Sequence, residues 1–353
     1  MTTTDEGQQK RTNREGAHDM SDGAASARDG AASAVAMDRL YAAVEARGPV
    51  CVGLDTALDY LPAKVRSAFP SPAEAILAYN AALIEATADY AACFKVQIAY
   101  YEELGLEGLA AYAKTLQLVR SRGMVVIADI KRGDIADTAS RYARAHFSGD
   151  FEADCVTLNP YMGLDSIEPW LEEAEKRGKG LFGLVRTSNP GMRDFEALEL
   201  AKGGRVYDEV GRRFAALAGR GRGLQGYGAL GAVVGCTERE EAASLRSRLA
   251  GVFILIPGYG AQGGAADDAA LLLERGNGGI VNASRSILKA WSAAGLATED
   301  TDLEAAASAA REAARHMRDA IRDSVASAAK LGGPGGSLEG GPQASGPSGA
   351  GPR

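Results

Sequence analysis

The sequence predicts an α/β fold, a single (β/α)8 barrel. Eight short apolar runs recur through the middle of the chain, and stretches of helical length lie between most of them. Strands that alternate with helices form a parallel sheet, and eight of them close a barrel of the TIM type. Polar and charged residues also gather at the C-terminal ends of the runs, where such a barrel builds its site. An open doubly wound sheet is the competing arrangement.

Residues 1–33 are rich in Thr, Gln, Asp, Gly, Ala and Ser and nearly free of large apolar side chains, so a disordered tail is expected. Met37-Asp38 begins the first amphipathic helix, from Leu40 through Ala46. Strands are expected at 50–55, 93–99, 124–130, 155–159, 180–186, 231–236, 252–257 and 279–284. Helices are expected between them at 72–90, 102–122, 134–147, 166–177, 238–249 and 265–274, with another at 303–328 after the last strand. One segment breaks the rhythm: 189–230 is long, contains Gly-Arg-Gly-Arg-Gly, and predicts an extra loop and helix after strand five. Residues 331–353 are Gly/Pro/Ser-rich and predict a second flexible tail. The folded domain is therefore expected over 34–330.

Apolar residues make up 46% of the 353, enough for a sizeable core, and the net charge of −7 excludes a general nucleic-acid surface. An anionic ligand would need a local basic pocket. Cys51, Cys93, Cys155 and Cys236 lie too far apart for a metal-ligand spacing and sit in or beside apolar runs, so buried free thiols are expected. His18, His146 and His316 are scattered, no run reaches membrane-spanning length, and the N-terminus reads as neither a signal nor a transit peptide. No metal is expected, and the cytoplasm is the expected compartment.

The most informative segment is Asp129-Ile-Lys131-Arg-Gly-Asp134. It follows Met124-Val-Val-Ile-Ala128, a β-branched run bounded by Gly123 that reads as a buried parallel strand. On an extended chain Asp129 and Lys131 point the same way, and Asp134 is placed to cap the next helix. Charges converging at a strand end are costly to desolvate unless paired. A capping Asp beside a solvated Lys is the plainer alternative. The other strand ends carry Asp55, Lys95, Asn159 with Tyr161, Arg186 with Ser188, Thr237, Gln262 and Arg285. Thr237 and Tyr161 read as caps or loop residues.

Two segments suit a phosphate. Pro257-Gly-Tyr-Gly-Ala-Gln262-Gly-Gly264 follows strand seven, where glycines let backbone N–H groups approach an anion and Gln262 can donate. Asn282-Ala-Ser284-Arg285 ends strand eight, where a guanidinium can grip phosphate oxygens. A phosphate site after strands seven and eight recurs in barrels.

Gly53-Leu-Asp55, Phe94-Lys95-Val-Gln, Asp129-Ile-Lys131-Arg-Gly-Asp134-Ile, Thr187-Ser188-Asn-Pro-Gly, the 257–264 loop and Ser284-Arg285-Ser together resemble orotidine 5′-phosphate decarboxylase, in its longer bacterial subgroup (type 2). The resemblance covers about 48–290 and leaves both tails outside. It implies cofactor-free conversion of orotidine 5′-phosphate (OMP) to uridine 5′-phosphate (UMP), the last step of de novo UMP synthesis, in a homodimer with shared sites. It implies Lys131 as proton donor to C6, Asp129 against the departing carboxylate, Lys95 paired with these carboxylates, and Asp134 reaching in from the neighbouring subunit. Asp55 would bind a ribose hydroxyl, Ser188 the base, and Gln262 and Arg285 the phosphate, with Thr138, Pro257 and Ser284 completing the substrate-binding set. The chemistry suits these residues. A carbanion at C6 has no good ring position to delocalise into, so a fixed cation is needed there, and a nearby carboxylate favours the ammonium form of Lys131.

Two rivals remain. Sugar-phosphate decarboxylases and synthases of the same barrel group resemble this chain too, but they use Mg²⁺ and end their second strand in a carboxylate. Here Lys95 stands at that position and would repel the ion. A non-catalytic phosphate-ligand sensor would not need the intact Asp55, Lys95, Asp129, Lys131 and Asp134 set.

Overall fold

Strands buried on both faces read as continuous apolar runs, and the eight runs behave this way. The computed structural model describes residues 35–236, 239–260 and 265–331. Within them β1 (Val50–Gly53), β2 (Cys93–Gln97), β3 (Val125–Arg132), β4 (Cys155–Leu158), β5 (Gly180–Arg186), β6 (Leu230–Val234), β7 (Ile254–Ile256) and β8 (Gly279–Ala283) form one closed parallel barrel in chain order. Closure is made by β8 on β1, with Val50 opposite Val281 and Cys51 opposite Asn282. The doubly wound alternative is excluded.

Around the barrel run α1 (Ala36–Arg47), α2 (Pro72–Thr87), α3 (Gly105–Ser121), α4 (Ala136–Phe147), α5 (Glu168–Arg177), α6 (Val206–Ala216), α7 (Arg239–Arg248), α8 (Ala266–Ala270) and α9 (Leu303–Leu331), with shorter helical turns between them. Local chemistry sets several ends. Ser71 accepts the Glu74 N–H at 3.3 Å and Pro72 supplies the preset φ of a first turn, which starts α2. The helix expected at 102–122 is split, because Gly105 adopts φ +64° and separates a short Ala99–Glu102 turn from α3.

Side chains facing the barrel axis form a floor of Cys51, Cys93, Val125, Ile127, Cys155 and Phe182, closed from below by Met37, Leu40 and Val44 of α1. Burial of each large apolar side chain stabilises by about 2 kcal/mol. The outer faces of the strands pack against the helices in a second, larger cluster. The buried Asp38 ties α1 to the loop beneath by accepting the N–H groups of Leu224 (2.8 Å) and Gln225 (2.9 Å). All four cysteines are buried and free.

The 189–230 segment differs from expectation. Its one α-helix is α6, which serves as the ordinary crossover between β5 and β6, and the only other helix there is the 3-10 turn Pro190–Asp194. The additional length is loop. The tails expected at 1–33 and 331–353 lie outside the described residues, save Leu331, which ends α9. No described helix is long and apolar enough to cross a membrane.

Candidate active site

Lys95 stands in the middle of β2, with Gly53 of β1 on one side and Ile127 of β3 on the other. Only 4% of it is exposed. An ammonium so buried needs partners, and it has two. Its Nζ donates to Asp55 Oδ1 at 2.9 Å and to Asp129 Oδ2 at 2.8 Å. Lys131 Nζ donates to the other oxygen of Asp129, Oδ1, at 2.6 Å. The result is a chain of alternating charge, Asp55–Lys95–Asp129–Lys131, along the C-terminal rim.

Both inner members keep their charge against burial. Burial alone would lower the Lys95 pKa, but the carboxylates of Asp129 and Asp55 outweigh it and hold the ammonium above the usual lysine range. Burial would raise Asp129, but Lys95 and Lys131 hold it well below the usual carboxylate range.

Thr157 on β4 completes the support. Its hydroxyl donates to Asp129 Oδ1 at 2.8 Å while its oxygen accepts the N–H groups of Ile130 and Lys131, each at 3.0 Å. Asp55 is held from the opposite side by the Ser284 hydroxyl at 2.8 Å, and Asn282 Nδ2 donates to that hydroxyl at 3.3 Å. Gly53 leaves room for this contact, since a Cβ there would lie 2.0 Å from Ser284 Oγ.

The reason Asp129 and Lys131 meet is not the plain extended chain. The register between β3 and β4 shifts between Ala128 and Arg132, and Lys131 adopts φ +43°, the left-handed region that side chains other than glycine avoid. A bulge therefore aims Lys131, and its strain is the local cost of that aim.

The chain of charge opens on a cavity of about 840 Å³ that also receives Tyr60, Tyr100, Ser188, Pro257, Ser284 and Arg285. Its size suits a nucleotide-sized ligand. Of the residues singled out in the sequence, Asp55, Lys95, Asp129, Lys131, Ser188, Pro257, Ser284 and Arg285 all line it. Gln262, like Thr237, lies outside the described residues. Asp134 and Thr138 do not line this cavity. Nor does Asp134 cap the helix: α4 begins at Ala136 after Ile135, which makes no side-chain cap, and Asp134 Oδ1 accepts only the adjacent Ile135 N–H at 2.8 Å. Thr138 is exposed on the first turn of α4.

Two strand-end residues prove structural. Asn159 Oδ1 accepts the Tyr161 N–H at 3.0 Å, and the buried Arg186 donates to Gly235 O at 3.0 Å. Thr157 and Asn282 belong to the site although nothing in the sequence assigns them a role there. Thr157 sits where a β-branched residue packs anyway, and its only signal is the inward position one strand over from Asp129. Among the described residues no group of three or more His, Cys, Asp or Glu side chains is arranged to hold a metal ion.

A closed (β/α)8 barrel whose rim carries a buried Asp–Lys–Asp–Lys chain beside a ligand-sized cavity belongs to the barrel enzymes that work with side-chain charge. Residues 48–297 match the model of the orotidine 5′-phosphate decarboxylase / HUMPS family, and the chain belongs to that family. It is 53% identical over 288 residues to the orotidine 5′-phosphate decarboxylase of Clostridium perfringens (strain SM101), covering 82% of this chain and 98% of that one. The structure of Leishmania donovani OMP decarboxylase is similar at TM-score 0.63 and 31% identity, covering 81% of this chain and 99% of that one. The structure of Leishmania donovani UMP synthase is similar at TM-score 0.66 and 32% identity over 82% of this chain, which spans 57% of that protein's length.

Proposed function

We infer that the chain converts OMP to UMP and CO2, a carboxy-lyase reaction and the last step of UMP synthesis. The observation that carries this reading is the buried Asp55–Lys95–Asp129–Lys131 chain in a member of this family. In this reading the bond from C6 to the carboxylate breaks, the electron pair stays on C6, and CO2 departs. Lys131 stabilises that pair and passes one proton from Nζ to C6, then regains a proton from water. Asp129 aims Lys131 and faces the departing carboxylate. Lys95 keeps Asp129 and Asp55 ionised, and Asp55 takes a ribose hydroxyl. Ser188 contacts the base. Pro257, Gln262, Ser284 and Arg285 hold the remainder of the nucleotide, the last supplying charge to the phosphate, so that remote binding energy positions the base.

Lys95 also weighs against the Mg²⁺-dependent reading. Its ammonium already occupies the space between the two carboxylates that a divalent cation would need. The test is the absorbance change of OMP with and without the protein, in EDTA. Turnover in EDTA supports the reading; loss on chelation with rescue by Mg²⁺ would replace it with the sugar-phosphate reading.

A homodimer with shared sites is part of the proposal. Asp134 and Thr138 fall outside their own cavity, and apolar side chains stand exposed near them beside the Asp137–Arg141 ion pair: Ile135 is 45% exposed, Tyr161 84% and Met162 50%. The two loops that carry these residues adjoin, since a Cβ at Gly133 would lie 3.1 Å from Asn159 O. A second copy covering this patch would bring Asp134 and Thr138 to the other site. Lys131→Ala and Asp134→Ala homodimers would then each be impaired. Co-expressed, they should recover about a quarter of wild-type activity, because half of randomly mixed dimers carry one intact site. No recovery in demonstrably mixed dimers would return Asp134 to its own subunit. The four free thiols are in keeping with a reducing compartment, and the cytoplasm is the proposed one.

A further inference from the structure

Ser188 lies in a turn just beyond β5, and that turn is held from two sides. Beneath it, the Gly235 N–H donates to Arg186 O at 2.8 Å and Arg186 returns a guanidinium bond to Gly235 O at 3.0 Å. The turn rests directly on this glycine, because a Cβ at position 235 would lie 2.9 Å from the Cβ of Ser188. On the other side stands Glu196, from the long loop that precedes α6. Its Oε2 accepts the Thr187 N–H at 2.7 Å, and its Oε1 lies 2.8 Å from the Thr187 hydroxyl, whose single proton is shared with Asn189 Oδ1 at 2.7 Å. Glu196 is itself fixed at both backbone groups, its N–H donating to Met192 O at 2.8 Å and its C=O accepting from the Tyr207 N–H at 2.9 Å.

We propose that Glu196 is a positioning residue for recognition of the pyrimidine base. It clamps the peptide of Thr187 and thereby sets where Ser188 presents its hydroxyl. The proposal rests on the decarboxylase reading, in which Ser188 contacts the base. The bond from the Thr187 N–H to this carboxylate is charge-assisted, short and directional and fixes the backbone, while the hydroxyl, held between Glu196 and Asn189, fixes the side chain. Thr187 N–H lies past the last residue of β5, so Glu196 takes the place of a strand partner there. Without the carboxylate, rotation about the 187–188 link would carry Ser188 away from the base while leaving Arg285, on the far side of the cavity wall after β8, untouched. The β5–α6 loop thereby acquires a task in substrate selection: it carries the residue that holds the base-recognition turn.

The test compares UMP with ribose 5-phosphate, which shares the sugar and phosphate and lacks the base. Binding of each is measured by calorimetry, together with kcat and KM for OMP. Glu196→Ala should weaken UMP about tenfold, the scale of a lost bond to a charged group, and leave ribose 5-phosphate within about twofold. Glu196→Gln, which keeps an acceptor for the Thr187 N–H, should recover much of the loss. Added to Ser188→Ala, Glu196→Ala should weaken UMP little further, because both act through one contact. Thr187→Val removes the hydroxyl that Glu196 and Asn189 share and should give the same pattern at about threefold; with Asn189→Ala leaving UMP within about twofold, it decides the matter if Glu196→Ala does not fold. Equal weakening of both ligands, no weakening of either, or full additivity with Ser188→Ala would overturn the positioning role. Wild-type protein that neither turns over OMP nor binds UMP would overturn the decarboxylase reading, and this proposal with it.

Discussion

The floor and the rim of this barrel are built from the same strands, two residues apart, and they treat buried titratable groups in opposite ways. Cys51, Cys93, Ile127 and Cys155 face the floor, while Gly53, Lys95, Asp129 and Thr157, about 6.6 Å further along β1 to β4, belong to the rim. On the floor, burial pushes the thiols of Cys93 and Cys155 up, so they stay neutral and pack as small apolar groups. On the rim, burial pushes Lys95 and Asp129 toward neutrality too, and their mutual pairing overcomes it. Burial alone selects the neutral form, whereas burial with a partner at 2.8 Å preserves a charge in a place dry enough for that charge to act.

The sharpest way to break the comparison is Lys131→Ala, which deletes the half-exposed end of the rim chain. We expect kcat to fall at least about a thousandfold with UMP binding still measurable, because the lost cation acts on developing charge rather than on the ground state. A kcat within about tenfold of wild type would remove Lys131 from the proton-donor role. Lys95→Met attacks the buried middle and leaves Asp55 and Asp129 without their shared cation. Its expected loss, read by urea unfolding, is about 3–5 kcal/mol together with most activity. A loss below about 1 kcal/mol would mean that water hydrates the carboxylates and that the rim is not dry.

His146 sharpens the contrast as a buried group without a compensating partner. It is stacked against Phe151 and Trp170, its Nδ1 has no hydrogen-bond partner, and burial, aided by Arg132, lowers its pKa from 6.5 to about 4. The unfolded chain therefore binds this proton more tightly. Stability from neutral His146 is full above pH 6.5 and declines as pH falls toward 4, by about 3 kcal/mol in all. Asp129, with its lowered pKa, contributes its own loss only below the ordinary carboxylate range. His146→Phe should flatten the decline between pH 6.5 and 4 while leaving the steeper fall below it; an unchanged slope would place the titration elsewhere. The smallest effect belongs to the floor: Cys93→Ala should cost about 1 kcal/mol in unfolding and leave kcat unaltered. A change in kcat would show that the two layers are coupled.

Much of this was legible in the sequence, and the remainder was not for definite reasons. A strand buried on both faces has to be apolar, so all eight were visible as runs, with ends displaced by a few residues where the polar rim begins. The charged rim was legible because charge at the end of an apolar run has few plain explanations. Thr157 was hidden because a threonine inside a strand reads as packing. The bulge at Lys131 was hidden because nothing in Asp-Ile-Lys departs from strand alternation. Asp134 capped no helix because α4 starts at Ala136, itself at φ +50°, which leaves Ile135 rather than Asp134 in the cap position. Glu196 was hidden because its bond to Thr187 spans nine residues of irregular loop, where no periodicity reports a contact.

The left-handed backbone at Lys131 bears on how the chain responds to selection. Glycine would adopt that conformation freely, so Lys131→Gly should be more stable than Lys131→Ala by about 1 kcal/mol, although neither retains the ion pair. A screen for thermal robustness and a screen for turnover would thus draw position 131 toward opposite residues, and a lysine that persists there records which demand has governed the chain.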